Sequence, residues 1–308
     1  MNYIINIKLF IKRKTRQGFI NSIIYSSFSF FHLLLTKSIL NHKKISYITL
    51  IFISGSLLTI MSIYRIFRIM KSIKSYTKEN LKINFYVGII SFLSYFFLIT
   101  SIDSTSLTNI VFILRIYPFL LMLKRTLSDN TSISNQKLTS LIIYLLSFLI
   151  IFFPALYRES GWGVLFCLIS VILKFSSVKY LSKAKGINID LLMLNIGFFN
   201  AFFGGMIVIT TFDKVESVGK LKWILIILNA FMTYYMKIFI NKVLKGDANE
   251  QKLLIFNVLS LIFAIPIDYY FFGLTFYYNY FVLIFSFIEI FFFYKKIKKV
   301  IKSDAIYP

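Results

Sequence analysis

The chain has 308 residues, of which 58% are hydrophobic, a mean hydropathy of +0.76 and a formal net charge of +23, an apolar content above that of ordinary soluble domains. The positive charge is spread through short gaps between apolar runs, which argues against a nucleic-acid-binding patch. Cys167 is the only cysteine, so neither an intrachain disulfide nor a cysteine-based metal site can form.

A membrane-crossing helix needs about 20 predominantly apolar residues. In chain order, runs near that length cover 18–36, 45–64, 83–102, 107–123 and 138–156 in the first half. In the second half they cover 161–178, 191–212, 223–240, 253–272 and 274–294. Helix is the only open-chain way to satisfy backbone groups in lipid, and the runs lack the alternation of a barrel strand. The first run is long for a signal peptide and no small-residue cleavage site follows it.

Of the 35 Lys and Arg residues, 25 fall in the N-terminus, the C-terminus and the gaps after runs two, four, six and eight. Seven fall in the other gaps, and three (Arg115, Lys174 and Lys237) lie inside runs. The asymmetry predicts a multi-pass protein with both termini cytosolic, in a plasma membrane or an endomembrane. The expected organisation is a basic cytosolic N-terminus over 1–17, a five-helix unit over 18–156, a second over 161–294 and a basic cytosolic tail over 295–308.

The halves echo one another. Asn109 and Pro118 in run four match Asn257 and Pro266 in run nine at an interval of 148; His32 and Lys37 match Lys174 and Lys179 at 142. Five runs per half is an odd number, so the halves insert with opposite orientation. The fold class expected is therefore all-α integral membrane, ten transmembrane helices arranged as two inverted five-helix repeats. Inverted repeats are an architecture of secondary transporters, which bind substrate near the bilayer midplane.

The segment Thr105-Ser106-Leu107-Thr108-Asn109 runs into an apolar stretch with Pro118 and then a polar turn holding Asp129. This resembles the third-to-fourth span region of the drug/metabolite transporter superfamily, in its EamA and solute carrier 35 families. Gly161-Trp162-Gly163 with Lys179, and Pro266 with Gly273, are similar to the second repeat of that family. The second half has Phe276-Tyr277-Tyr278 where the family's pattern places its acidic residue. The resemblance implies solute transport by alternating access.

Arg115 is the sharpest candidate, lying about 12 Å from either end of its run at 1.5 Å per residue. A central arginine is costly in a bilayer and faces a cavity or an internal partner. It reads as an anion-binding group, with a structural ion pair to Glu289 as the alternative. Lys174, Lys237, His32, Asn109 and Asn257 complete the substrate-binding candidates. Snorkelling is the competing reading for the two lysines, and hydrogen-bonded packing for His32. Glu289 is the candidate coupling acid, and Pro118 and Pro266 are candidate kinks. Gly197, Ala201 and Gly205 form a small-residue packing stripe, with Asn195 and Asn200 as interhelical glue.

The expected function is secondary transport of a small organic metabolite, with a phosphorylated or carboxylated anion favoured by the intramembrane cations. The alternatives are a channel, a lipid scramblase or a non-transporting multi-span protein. No catalytic set, metal spacing or cofactor motif appears, so no enzymatic activity is expected. The expected partners are the lipid bilayer and a small-molecule solute, with the oligomeric state left open, a homodimer included.

Overall fold

The computed structural model describes residues 2–41, 45–68, 78–114, 116–117, 120, 123, 142, 149, 161–183, 189–211, 220–245 and 250–272. Their regular structure is all helical: α1 (Asn2–Asn41), α2 (Tyr47–Arg68), α3 (Lys78–Ser104), α4 (Leu107–Leu114), α5 (Gly161–Lys183), α6 (Ile189–Thr211), α7 (Lys220–Lys245) and α8 (Glu250–Phe272). Among the described residues, five segments are long and apolar enough to cross a membrane: Ile23–Asn41, Tyr47–Phe67, Leu81–Ser104, Ile189–Thr211 and Lys220–Phe239. Shorter apolar helices occupy Gly161–Ser177 and Ile262–Phe272. The described residues are thus helical throughout their regular structure, with helices of the length and apolarity that suit a lipid bilayer. The expected runs 138–156 and 274–294 fall outside the described residues, apart from Ile142 and Leu149.

The helices form where the apolar runs predict them, because in lipid each backbone amide must find its partner inside the segment. Hydroxyls follow the same rule. Ser56 donates to the Phe52 carbonyl at 2.9 Å, Thr59 to Gly55 at 2.9 Å and Ser62 to Leu58 at 2.8 Å, each four residues back. Helix α1 starts at Asn2 and so runs through the basic 1–17 segment; its apolar window, Ile23–Asn41, overlaps the expected run 18–36 and extends five residues past it. Lysine and arginine are good helix formers, so charge ends the apolar run without ending the helix.

Exposed aromatic side chains gather at both ends of the bundle. Trp162 on α5 is 71% exposed, with Tyr269, Tyr270 and Phe271 at the end of α8. Tyr64 and Phe67 close α2 at the opposite end, beside Phe85 and Tyr86 at the start of α3. Such rings sit at the headgroup level of a bilayer.

The main packing contacts cross between the two halves. Helix α2 lies on α6, α3 on α5 and on α6, α1 on α7 and on α8, α7 on α2, and α4 on α5 and on α8. Exchanging α1–α4 for α5–α8 in that order returns the same set of pairs. At the centre, α2 and α6 meet backbone to backbone. A methyl group on Gly55 would stand 2.5 Å from the Ala201 nitrogen and 2.6 Å from the Asn200 Cβ. One on Gly197 would stand 2.7 Å from the Thr59 nitrogen. Gly55 and Gly197 are 142 residues apart, the interval that also separates His32 from Lys174. The packing stripe on α6 therefore lies where the sequence places a helix contact.

Gly55→Ala is expected to cost ~1–3 kcal/mol through overpacking, lowering the unfolding temperature of the detergent-purified protein by several degrees. Gly205→Ala would meet only the edge of the Phe52 ring at 3.1 Å and is expected to cost less. Equal melting temperatures for the two variants would show that the α2–α6 approach is looser than described.

Candidate functional site

A cavity of about 40 Å³ lies inside the bundle, bordered by α1, α3, α5, α6 and α7 as well as by Leu114 at the end of α4. That volume holds about three water molecules. Its polar wall comprises Ser29 and His32 from α1, Ser91, Ser94 and Tyr95 from α3, Ser170 and Lys174 from α5, Asn200 from α6, and Thr233 and Lys237 from α7. Among the described residues, no carboxylate belongs to this lining. A second cavity of about 20 Å³ adjoins it, sharing Ser29, Leu33, Leu114 and Lys174.

Lys174 stands between the two spaces. Its ammonium donates to the Tyr25 hydroxyl at 3.1 Å and lies 4.8 Å from the centre of the Tyr117 ring. These are neutral partners, a hydroxyl and a π face, so the positive charge has no ionic counterpart in them. Lys237 lines the larger cavity and makes no hydrogen bond or ion pair among the described residues. Both lysines reach the interior, so snorkelling does not describe them.

His32 is 1% exposed and hydrogen-bonded across the helices. Its Nδ1 lies 2.5 Å from Asn229 Oδ1 and 3.2 Å from Thr233 Oγ1. The Thr233 hydroxyl proton is committed to the Asn229 carbonyl at 2.9 Å. The threonine oxygen is therefore left to accept, and the network assigns the Nδ1–H tautomer. The ring stacks on Tyr95 with centroids 5.9 Å apart. Below, Ser94 and Ser170 exchange hydrogen bonds with each other's backbone carbonyls at 2.9 and 2.7 Å, joining α3 to α5.

Four lining positions fall into two pairs at the repeat interval. His32 and Lys174 are 142 residues apart, and so are Tyr95 and Lys237. Equivalent positions thus face one cavity with different chemistry, an imidazole and a phenol from the first half and two ammonium groups from the second.

Polar clusters close the bundle beyond the cavity at both ends. At one end, Lys37 on α1 donates to the carbonyls of Ile102 at 2.7 Å and Thr105 at 2.8 Å. Beside it the fully buried Asp268 of α8 accepts from the Leu107 amide at 3.1 Å, the Thr108 amide at 2.6 Å and the Thr108 hydroxyl at 2.5 Å. The carboxylate satisfies the unpaired first amides of α4 and sits at the positive end of its dipole. At the other end, Arg65 of α2 donates to the Tyr234 hydroxyl at 2.9 Å, and Tyr234 donates to Asp190 of α6 at 2.8 Å. The Arg65 Nε lies 3.6 Å from the same carboxylate oxygen.

Of the sequence candidates, His32, Lys174 and Lys237 come together at the cavity. Asn109 is buried in the first turns of α4, outside the cavity lining, its amide 3.4 Å from the capping Ser106 hydroxyl. Asn257 lies within α8, and Pro266 stands inside the same helix, which continues across it. Arg115, Pro118 and Glu289 lie outside the described residues. Asn195 does join helices, donating to the Asn84 carbonyl at 2.6 Å, but Asn200 lines the cavity. Tyr95, Asn200 and Thr233 were not legible as site residues. Extending the 142-residue interval from Lys237 would have found Tyr95.

No protein-family model and no curated protein matches the chain. A solved structure described as "Crystal structure of protein" is similar with a TM-score of 0.59, covering 90% of this chain and 95% of its own at 10% identity. The two share a fold.

Asp268→Ala leaves two amides and a hydroxyl without their acceptor in an apolar interior and is expected to destabilise by ~2–3 kcal/mol. Asp268→Asn keeps one acceptor oxygen and is expected to lose less. Thermal unfolding in detergent orders the two, and a harmless alanine would show that α4 starts without this cap.

Proposed function

We propose that the chain is a ten-span secondary transporter, built as two inverted five-helix repeats of the drug/metabolite transporter type, that moves a small organic anion by alternating access. The observation that carries this reading is the interior cavity lined by Lys174 and Lys237, to which no carboxylate of the described residues contributes. Burying a charge without a counter-ion is costly in a bilayer, and an incoming anion supplies that counter-ion.

Three further features support it. The helix pairs map onto themselves when the halves are exchanged, as a repeat requires. The repeat interval brings equivalent residues to one cavity, the arrangement of a midplane substrate site. The polar clusters lie on either side of that cavity, where alternating access needs closures that open in turn. In this reading the Arg65–Tyr234–Asp190 cluster faces the cytosol and the Lys37 and Asp268 contacts face the opposite compartment, following the basic-gap asymmetry. Charge on the cavity wall orients the anionic group, and the serine and threonine hydroxyls replace its hydration.

Reconstituted protein is expected to take up labelled organic anions saturably, and faster when vesicles are preloaded with the same anion. Lys237→Ala is expected to reduce uptake at least about tenfold, the scale of one charge-assisted contact. Phe263→Ala, at a lipid-exposed position, is expected to leave uptake unchanged. Arg115→Ala tests the remaining intramembrane cation in the same assay. Conductance without saturation would assign a channel instead, and full uptake by Lys237→Ala would remove this lysine from the site.

A further inference from the structure

The cavity holds hydrogen-bonding atoms of both kinds that are buried without a partner among the described residues. Asn200 is 3% exposed and lines the cavity, and its Oδ1 has no donor. His32 is 1% exposed and lines the same cavity, and its Nε2 has no partner. With Nδ1 carrying the proton toward Asn229 and Thr233, Nε2 of the neutral ring carries a lone pair and accepts. Lys237 supplies the opposite need, an ammonium with up to three donors.

A ligand that only accepts hydrogen bonds, such as a simple carboxylate, chloride or sulfate, would satisfy the ammonium groups. It would leave the Asn200 oxygen and the imidazole lone pair buried and unmet. A ligand bringing an ammonium group as donor would set a third cation beside Lys174 and Lys237. A hydroxyl is the neutral donor that fits both acceptors. The cavity of about 40 Å³ further restricts the occupant to a few heavy atoms beyond the anionic group.

Resting on the anion-transport reading above, we infer that this cavity takes a small hydroxylated anion of the hydroxycarboxylate class. The carboxylate lies toward Lys174 and Lys237, and the hydroxyl donates to Asn200 Oδ1 or His32 Nε2. Asn200 and His32 are then specificity-determining residues, which choose between a hydroxy acid and its deoxy analogue. A site built to bond a hydroxyl discriminates strongly against an analogue that lacks it, because its own polar atoms are left unpaired.

The test uses the full chain in proteoliposomes with two matched pairs of labelled acids, 2-hydroxypropanoate against propanoate and hydroxyethanoate against ethanoate. In at least one pair the hydroxy acid is expected to reach half-saturation at a concentration about tenfold or more below its deoxy partner. Asn200→Leu is expected to erase most of that ratio by raising the hydroxy acid's half-saturation more than the deoxy acid's. Asn200→Ser, which keeps a small acceptor, is expected to retain part of it, and it serves where the leucine variant does not fold. Saturation of both members of each pair at the same concentration would overturn the hydroxyl assignment and leave anion transport standing. Uptake of neither member of either pair, by protein that elutes as a single species, would overturn the anion-transport reading and this inference with it. An unchanged ratio in both Asn200 variants and in His32→Phe would place the discrimination elsewhere and overturn the assignment to these two residues.

Discussion

The arrangement of the bundle depends on the backbone contact of α2 with α6. Lipid gives helices no hydrophobic reason to associate, so close van der Waals approach has to supply the attraction, and only small residues permit it. Gly55 and Gly197 bring the two backbones to distances that a single methyl group would violate. With that contact at the centre, α3 reaches α6 and α7 reaches α2 as matching neighbours, and α5 and α1 pack outside them. The cavity lies among these helices, where their side chains do not meet across the gap.

Polar chemistry is distributed around this frame in two ways. At the ends it is mutually satisfied: Lys37 on backbone carbonyls, Asp268 on the first amides of α4, and Arg65 with Tyr234 and Asp190. In the cavity it is incompletely satisfied among the described residues: Lys174 meets only a hydroxyl and a ring face, while Lys237, the His32 Nε2 and the Asn200 Oδ1 have no hydrogen-bonding partner. A buried polar group left unmet costs free energy, and such atoms also occur outside the cavity, Asn84 Oδ1 and Thr105 Oγ1 among them; the cavity differs in gathering an imidazole nitrogen and an amide oxygen beside two ammonium groups.

The helix positions were largely legible because hydropathy along the chain reports the same solvent that selects helical structure. The start of α1 was not legible, since basic residues end an apolar run without ending a helix. Lys174 and Lys237 were recognised as unusual but judged by their distance from the end of a run. Distance along a helix gives depth; it does not say which face the side chain takes. Asn200 serves both roles: its Cβ packs against Gly55 in the α2–α6 contact while the residue also lines the cavity, and the small-residue stripe beside it signals only the first. The cap on α4 joins residues 160 positions apart, and no local pattern encodes such a partner. In the sequence Asp268 is distinguished only by being a carboxylate within an apolar run.

The same cap has a mechanical consequence. Because a carboxylate on α8 holds the first amides of α4, and because these helices also pack along their sides, α4 and α8 form one lever from opposite halves of the chain. A displacement that tilts α8 drags the start of α4 with it. Through the Thr105 carbonyl held by Lys37, the same pull reaches α1. Strain applied at one helix is therefore shared among three, so this end of the bundle yields as a unit or stays shut.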